Sequence, residues 1–253
     1  MKLKTIAASL AAATTLTLAA SPASAATVLG VTWDQNSSVD FIAQTALWET
    51  VALTAGQQID GYGAFTFFNG KDNIGPDAYC AGCELTYVFY GYTLANSITG
   101  APDEAFGFTG GQVDVYVDNS QDFDSFDPTT ASNGTLWLSL IGADGDGDGF
   151  TLKGSTTSVS ELGVGIAGQG SGFLNVTGGA AAAYFDTNGQ TGGTDFLYTS
   201  SFSPLANAIG EYTHGGTSEI TGDSQSVPEP NALALLGLGL IGLGAARRMK
   251  KTS

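Results

Sequence analysis

Basic residues, cysteine and histidine are all scarce in this chain of 253 residues. It has 8 Lys and Arg against 24 Asp and Glu, and the resulting net charge of −16 repels phosphate backbones and argues against a nucleic-acid partner. Two cysteines exclude a dense disulfide scaffold and a four-cysteine zinc site. A single histidine, His214, excludes a poly-histidine metal centre. Hydrophobic residues nevertheless make up 43% of the chain, which is enough to build a core.

Short β-strands are the main pattern between the two ends of the chain. Val113, Val115 and Val117 alternate with polar residues, which is typical of a half-buried strand. Residues 84–94 are rich in Tyr, Phe and Val on both faces, so they suit a central strand. Further strands are predicted at 47–53, 63–68, 135–141, 173–176, 182–185, 196–202 and 209–214. With Gly-rich turns between them, these segments predict an all-β body with an antiparallel β-sandwich or jelly-roll-like fold.

The first 25 residues have the pattern of a secretory signal peptide. Lys2 and Lys4 give a positive start, an apolar run follows, and Ala23-Ser24-Ala25 is a small-x-small cleavage site. The pattern predicts export by the general secretory route and cleavage after Ala25. The alternative is a membrane anchor, which the short apolar run and the cleavage site disfavour.

Residues 227–253 have the pattern of a second targeting signal, which consists of a Pro-Glu-Pro motif, an apolar stretch at 232–246 and a basic tail. Prolines keep the motif extended, and an apolar helix over 232–246 would be about 22 Å long, short of a ~30 Å hydrocarbon core. Basic residues hold such an end in the cytoplasm, so the body would face outward. The residues concerned are Val227, Pro228, Glu229, Pro230, Arg247 and Arg248. The alternative is a plain C-terminal anchor.

This terminal segment resembles the PEP-CTERM sorting signal. Members of that family are processed in Gram-negative bacteria by exosortase, a membrane-embedded transpeptidase that is similar to cysteine proteases. The resemblance implies recognition at Pro228-Glu229-Pro230, transient insertion into the inner membrane and removal of the helix. The body would then reach the cell surface or the extracellular matrix.

A second resemblance lies within the body, at 80–94, 110–117, 135–142 and 170–178. These blocks are similar to segments of flocculation-associated PEP-CTERM proteins. The resemblance implies a protein without catalytic activity that acts with exopolysaccharide or other matrix components in flocculation or biofilm formation. The alternative is a secreted carbohydrate-binding protein or a polysaccharide hydrolase on the same β fold.

The body is strongly acidic. Residues 26–226 hold 23 acidic residues and only two basic ones, Lys71 and Lys153, which gives a net charge of about −21. These carboxylates must face water, counter-ions or a divalent metal. We divide the segment into a Gly-rich β domain at 26–214 and a polar tether at 215–226. A solvated surface that keeps an exported protein soluble accounts for most of the acids.

One acidic run matches the first half of a calcium-binding loop. Asp144, Asp146 and Asp148 alternate with glycines, and such carboxylates can wrap around one hard cation. Ser155 stands where an EF-hand needs a bidentate Glu, so an EF-hand is excluded. Calcium is therefore the one predicted cofactor, and an exposed acidic turn is the alternative. A second acidic cluster comprises Asp118, Asp122, Asp124 and Asp127, with the same two interpretations.

The two cysteines form a C-x-x-C motif, Cys80 to Cys83. Because disulfides persist outside the cell, a structural disulfide that fixes a turn is favoured over a metal-bound pair or a redox centre. The Gly163–Gly168 run imitates a dinucleotide fingerprint, but no strand and helix frame it, so it is predicted to be a turn region. His214 is expected at the surface. We therefore expect no enzymatic activity.

Overall fold

The computed structural model describes residues 25–37, 40–99, 101–159 and 165–227. Strands make up 58% of the structure and helices 6%, so the all-β prediction is confirmed. The strands are β1 (Ala25–Val28), β2 (Val31–Asp34), β3 (Phe41–Glu49), β4 (Gln58–Phe68), β5 (Lys71–Asp72), β6 (Glu84–Leu94), β7 (Ala105–Asp118), β8 (Thr135–Ala143), β9 (Leu152–Val159), β10 (Ile166–Gly178), β11 (Phe196–Ile209) and β12 (Tyr212–Gly222). One short helix, α1 (Ala182–Phe185), and the 3-10 turns Pro128–Ala131 and Thr191–Gly193 complete the described elements.

The strands β3 to β12 form one antiparallel sheet that closes on itself. Its order is β11-β12-β3-β4-β6-β7-β8-β10, and β10 then pairs with β11, from Gly168 opposite Phe202 to Leu174 opposite Phe196. Rings from opposite strands meet across the interior, as in a sandwich. The rings of Phe41 on β3 and Trp137 on β8 are 6.4 Å apart. The inner faces of the sheet therefore share one core.

The strands β8 and β9 share a single place in this sheet. Both lie between β7 and β10, end to end: β7 pairs with β8 through its C-terminal half and with β9 through its first residues. The segment 144–151 loops out between them. In β7, which pairs with both strands, Gly110 and Gly111 have positive φ values of 74° and 93°. The backbone of β7 therefore bends next to the point where β8 gives way to β9. The Asp-Gly run is thus an insertion in an otherwise continuous strand position.

Alternation of apolar and polar residues explains which face of each strand turns inward. In β3, Phe41, Ala43, Thr45, Leu47 and Glu49 are buried and the residues between them are half-buried or exposed. The predicted strand at 84–94 is confirmed at the same bounds as β6. The predicted strand at 135–141 is also confirmed within β8, and 63–68, 173–176 and 196–202 lie within β4, β10 and β11.

The register of the strands divides the interior into two ends. The end we call the packed end contains Phe41 of β3, which pairs with Gly222 of β12. At the other end of the same two strands, Glu49 pairs with His214. This second end surrounds a cavity and is called the cavity end.

The N-terminal hairpin β1–β2 closes the packed end. Val31 pairs with Cys80, and the Trp33 ring lies edge-on to the Trp137 ring at 6.0 Å and 5.0 Å from that of Phe185. The indole N–H of Trp137 donates a hydrogen bond to the Val28 carbonyl at 3.2 Å. The aromatic side chains with no exposed surface here are Trp33, Phe41, Phe68, Trp137, Phe185 and Phe196. They form a dense aromatic cluster that is expected to dominate stability.

The segment 215–226 is not a tether, because β12 continues through it to Gly222. Its small and polar residues suggested a linker, but the glycines instead allow β11 and β12 to pack closely. A Cβ atom at Gly216 would lie 1.8 Å from the Ser201 carbonyl oxygen on β11. His214, which was expected at the surface, directly precedes this segment and is only 2% exposed.

Three further predictions of local structure were wrong. Residues 182–185 form the single helical turn α1 instead of a strand, and this turn places Phe185 in the packed end. The predicted strand at 209–214 contains the hairpin turn between β11 and β12, where Gly210 has φ 60°. Gly168 was predicted in a turn region but lies in β10. The strand needs a glycine there because a Cβ atom would lie 2.5 Å from the Phe202 ring. Gly163 lies outside the described residues.

Candidate functional site

The loop between β8 and β9 brings the three predicted calcium ligands together. Carboxylate oxygens of Asp144, Asp146 and Asp148 lie within 4.8 Å of one another, and all three residues are exposed. The Asp144 carboxylate accepts hydrogen bonds from the backbone N–H groups of Gly147 and Gly149, at 2.8 and 2.9 Å. The loop is therefore wrapped around the side chain of Asp144.

A lysine already neutralises part of this cluster. The Lys153 ammonium forms ion pairs with Asp146 and, at 2.7 Å, with Asp148. Its hydrogen bond lowers the pKa of the Asp148 carboxyl, and the two carboxylates raise the pKa of the lysine. Because Lys153 lies where a cation would be held, calcium has to displace its ammonium group from two of the three carboxylates.

The second acidic cluster differs from the predicted one. Asp118 and Asp122 lie within 4.8 Å of Glu84, the first residue of β6, which the sequence did not single out. Burial raises the pKa of Glu84, whose carboxylate accepts a hydrogen bond from the Phe123 N–H at 2.9 Å. Of the predicted members, Asp127 instead caps the 3-10 turn through the Thr129 N–H at 3.1 Å. The two halves of the predicted cluster thus have different roles.

The C-terminal segment leaves the body at the packed end. The N–H and hydroxyl groups of Ser224 both donate to the buried Asp40 carboxylate, and the Trp33 indole N–H donates to the Ser224 hydroxyl at 3.1 Å. The Gln225 N–H donates to the Tyr184 carbonyl at 2.7 Å. Burial raises the pKa of Asp40. We call residues 223–225, held by these bonds, the C-terminal strap.

Both predicted processing points adjoin this end. Val227 is half-buried and is the last described residue. The remaining sorting residues, Pro228, Glu229, Pro230, Arg247 and Arg248, lie outside the described residues, as do Ala23 and the apolar stretch at 232–246. Ala25 is an exposed residue that begins β1, whereas Ala26 is 7% exposed. Cleavage after Ala25 would therefore leave the buried part of the hairpin intact.

The two cysteines are paired in the structure. The Cys80–Cys83 disulfide has a Cα–Cα separation of 5.2 Å, and both residues are buried. The disulfide closes the turn that leads into β6. Gly30 of the N-terminal hairpin packs against it: a Cβ atom at Gly30 would lie only 3.3 Å from the Cys83 sulfur. The disulfide thus supports the contact between the hairpin and the closed sheet.

His214 takes no part in an exposed catalytic arrangement. Its Nδ1 is 2.9 Å from the Thr213 hydroxyl, and its ring packs 6.1 Å from that of Phe202. Burial lowers the pKa of the imidazole, so it is neutral at pH 7. The buried position indicates a packing role.

Comparison with known proteins identifies the C-terminal segment as a sorting signal. The family model of the PEP-CTERM protein-sorting motif matches residues 226–248. No curated protein and no solved structure matches the chain. Among the described residues, no helix has the length and apolar character needed to span a bilayer. The matched segment begins directly after the C-terminal strap. The chain thus carries a PEP-CTERM sorting motif, which implies export and processing by exosortase for the cell surface or the extracellular space.

Proposed function

We propose that this protein is a surface or matrix protein that supports exopolysaccharide-dependent cell aggregation, as in flocs or biofilms. The observation that carries the proposal is the presence of two carboxylate clusters in a body with very few cations of its own. One lies on the exposed loop between β8 and β9, and the other lies where β6 begins and β7 ends. Such clusters can exchange counter-ions with an anionic or hydrated polymer.

The proposed mechanism is non-covalent. Calcium held by Asp144, Asp146 and Asp148 would bridge the loop to acidic groups of the polymer or of a second copy of the chain. The loop protrudes from the sheet between β8 and β9, so a polymer can approach it without disturbing the core. Lys153 would act as the internal competitor that keeps calcium affinity low.

Deletion of the gene, followed by measurement of floc size with and without a calcium chelator, tests the role. Loss of flocs in the deletion strain and rescue by the wild-type chain would support it. Rescue by a chain carrying Asp144→Asn, Asp146→Asn and Asp148→Asn should be incomplete if the loop contributes. Flocs that stay intact in the deletion strain, with or without chelator, would contradict the proposal.

Calcium binding itself is tested by titration calorimetry of the full-length chain. Lys153→Gln should bind calcium more tightly than wild type because it removes the competing ammonium group, whereas Lys71→Gln, which changes the charge equally on β5, should not. Equal calcium affinity for both variants would contradict the competitor role of Lys153, and no heat at millimolar calcium would remove the bridging mechanism.

A second candidate function is carbohydrate binding, and one observation favours it. Trp33 and Trp137 have no exposed surface, so neither can stack on a sugar, but Trp48 is half-buried on the outer face of β3. Its ring stacks 5.6 Å from that of Tyr62 and lies 5.9 Å from that of Phe123. In affinity electrophoresis with host exopolysaccharide, Trp48→Ala should lose retardation while Leu136→Ala, an exposed apolar control, keeps it.

The proposed role includes no catalytic step. The rival is a polysaccharide hydrolase, and it predicts that the purified chain releases reducing ends from host exopolysaccharide. Most glycoside hydrolases use two carboxyl groups that flank the scissile bond. Incubation of the chain with the polymer and assay of reducing ends distinguishes the rival from the proposal.

A further inference from the structure

The cavity end encloses an apolar space of about 60 Å³. This is about twice the roughly 30 Å³ that one water molecule occupies in the liquid, so the space suits only a ligand of very few non-hydrogen atoms. Its wall is mostly aromatic and aliphatic, with side chains from β3, β4, β6, β7, β9, β10, β11 and β12. The aromatic residues of the wall are Tyr87, Phe89, Tyr92, Phe106, Phe108, Tyr198 and Phe202.

One acidic side chain lies in this wall. Glu49, the last residue of β3, points inward with the other odd-numbered residues of the strand and is 9% exposed. Within the described part of the chain, its carboxyl group has no hydrogen-bond or ion-pair partner. Burying a polar group without a partner costs free energy. A hydrogen-bond donor or a positive charge placed next to the Glu49 carboxyl would remove that cost.

The other ionisable groups around Glu49 keep their neutral forms near pH 7. Burial raises the pKa values of Tyr87 and Tyr92 on β6 and of Tyr198 on β11. His214, opposite Glu49 on β12, has its pKa lowered by burial. Burial raises the pKa of Glu49 itself to about 8. Glu49 is thus the one group lining the cavity whose charge changes close to neutral pH.

The cavity reaches the surface beside an apolar loop. Val51 and Leu53, which follow β3 and also line the cavity, are 37% and 41% exposed. The loop is anchored by the Gln57 side chain, which accepts hydrogen bonds from the Leu53 and Thr54 N–H groups at 2.9 Å. A small molecule can therefore enter along an apolar path that ends at the Glu49 carboxyl.

We propose that this cavity binds a small alkylammonium ion, with the ammonium group on Glu49 and the alkyl part against the aromatic wall. The unpartnered carboxyl supplies the counter-charge, and aromatic rings attract a cation placed over their faces. The strongly acidic body raises the local concentration of cations. On binding at neutral pH, the Glu49 carboxylic acid releases its proton to solvent, and the resulting carboxylate pairs with the ammonium.

The test is an NMR titration of the full-length chain labelled with ¹³C at the Glu carboxyl carbons. The Glu49 signal is assigned by its loss in Glu49→Gln. At pH 6.5, ethylammonium chloride should move this signal from the protonated to the ionised position, while ethanol and sodium chloride at equal concentration should not. The ceiling on binding energy per non-hydrogen atom places the Kd near or above about 1 mM.

A matched variant controls for general attraction to the acidic surface. Glu219→Gln on β12 removes the same charge outside the cavity wall, and its Glu49 signal should respond to ethylammonium as in wild type. Glu49→Gln should weaken the ligand-induced shifts of the cavity residues at least tenfold. A Glu49 signal that stays protonated at several times the expected Kd, or that responds equally to ethanol, would overturn the proposal. If Glu49→Gln fails to fold, the Glu49 carboxyl signal is assigned in a uniformly ¹³C/¹⁵N-labelled chain by through-bond correlation to its own side chain and backbone, and the wild-type titration still decides the question.

Discussion

The packed end and the cavity end of the same closed sheet differ in how their interiors are filled. At the packed end, the Phe41 ring lies within 4.6–6.4 Å of four other aromatic rings, and none of the six large aromatic side chains there is exposed. At the cavity end, Phe108 has one described ring neighbour, Phe106 at 5.8 Å, and the wall includes an unpartnered acid. The end that contacts the N-terminal hairpin and the C-terminal strap is thus the denser one.

This difference has a physical consequence for an exported chain. The hairpin that follows the predicted signal peptide and the C-terminal strap that precedes the sorting motif both lie on the packed end. Processing there would act next to a densely packed part of the core, so removal of the two terminal signals need not disturb it. The cavity end, which includes neither the N-terminal hairpin nor the C-terminal strap, has room for a ligand.

The largest expected effect is the loss of stability when one aromatic side chain is truncated at each end. Phe41→Ala should lower the free energy of unfolding by about 4 kcal/mol, because it leaves a space inside a dense cluster. Phe108→Ala should cost about 2 kcal/mol, because its side chain already faces empty space. Urea unfolding of both variants measures the difference. Equal losses would show that the two ends are packed equally well.

The next effect concerns the charge at the cavity end. Below pH about 4.5 both folded and unfolded chains protonate Glu49, whereas between 4.5 and about 8 only the folded chain does. The free energy of unfolding should therefore fall as the pH rises through this window, by up to about 1.4 kcal/mol per pH unit. Glu49→Gln should remove this dependence and stabilise the protein by roughly 4 kcal/mol at pH 8.

Denaturant unfolding at pH 4, 6 and 8 checks that expectation. The stabilisation by Glu49→Gln should disappear at pH 4, where the carboxyl is neutral in both states. The matched variant Glu219→Gln should show no comparable gain at pH 8. A wild-type curve and a Glu49→Gln curve that run parallel from pH 4 to pH 8 would contradict a buried, unpaired acid.

A smaller effect is expected from the disulfide at the packed end. Cys80 and Cys83 close a short loop, with a sequence separation of 3, so the chain-entropy estimate for their bond is only about 2 kcal/mol. The double variant Cys80→Ser, Cys83→Ser should remain folded and lose about that amount in thermal or urea unfolding. Complete unfolding of this variant would show that the hairpin depends on the disulfide much more than its contacts indicate.

The smallest effect tests the C-terminal strap. Asp40→Ala leaves the N–H and hydroxyl groups of Ser224 without their acceptor, at a cost of about 1–2 kcal/mol. Limited proteolysis should then cut near residues 223–227 faster than in wild type, with the sheet still folded. Asp34→Ala, an exposed acid on β2, is the control. Equal cutting rates would mean that the strap is held by other contacts.

The sequence predicted the strands whose residues alternate clearly, but not the pairings that decide the two ends. The β6 bounds and the inward faces of Val113, Val115 and Val117 follow from local pattern. Gly215 and Gly216 look like linker residues locally, and only the approach of β11 shows why they are glycine. Long-range register has no local signal, so the closure of the sheet was not predicted.

The same limit applies to the sites. The Asp144 loop was predicted because its ligands are adjacent in sequence, whereas Lys153 enters it only through folding. Glu84 joins Asp118 and Asp122 across two strands, and Glu49 is distinguished only by its burial. His214, as a lone polar residue beside two glycines, gave no sign of a core position. Tertiary contacts alone determine these environments.

The intact mass of the protein recovered from the cell surface or the medium tests the central claim most directly. Export and exosortase processing predict one folded chain that begins at Ala26 and ends close after the C-terminal strap, within the segment 226–230, together with any group added at the new end. Recovery of the full 253-residue chain in the inner membrane, with both terminal segments still present, would contradict it.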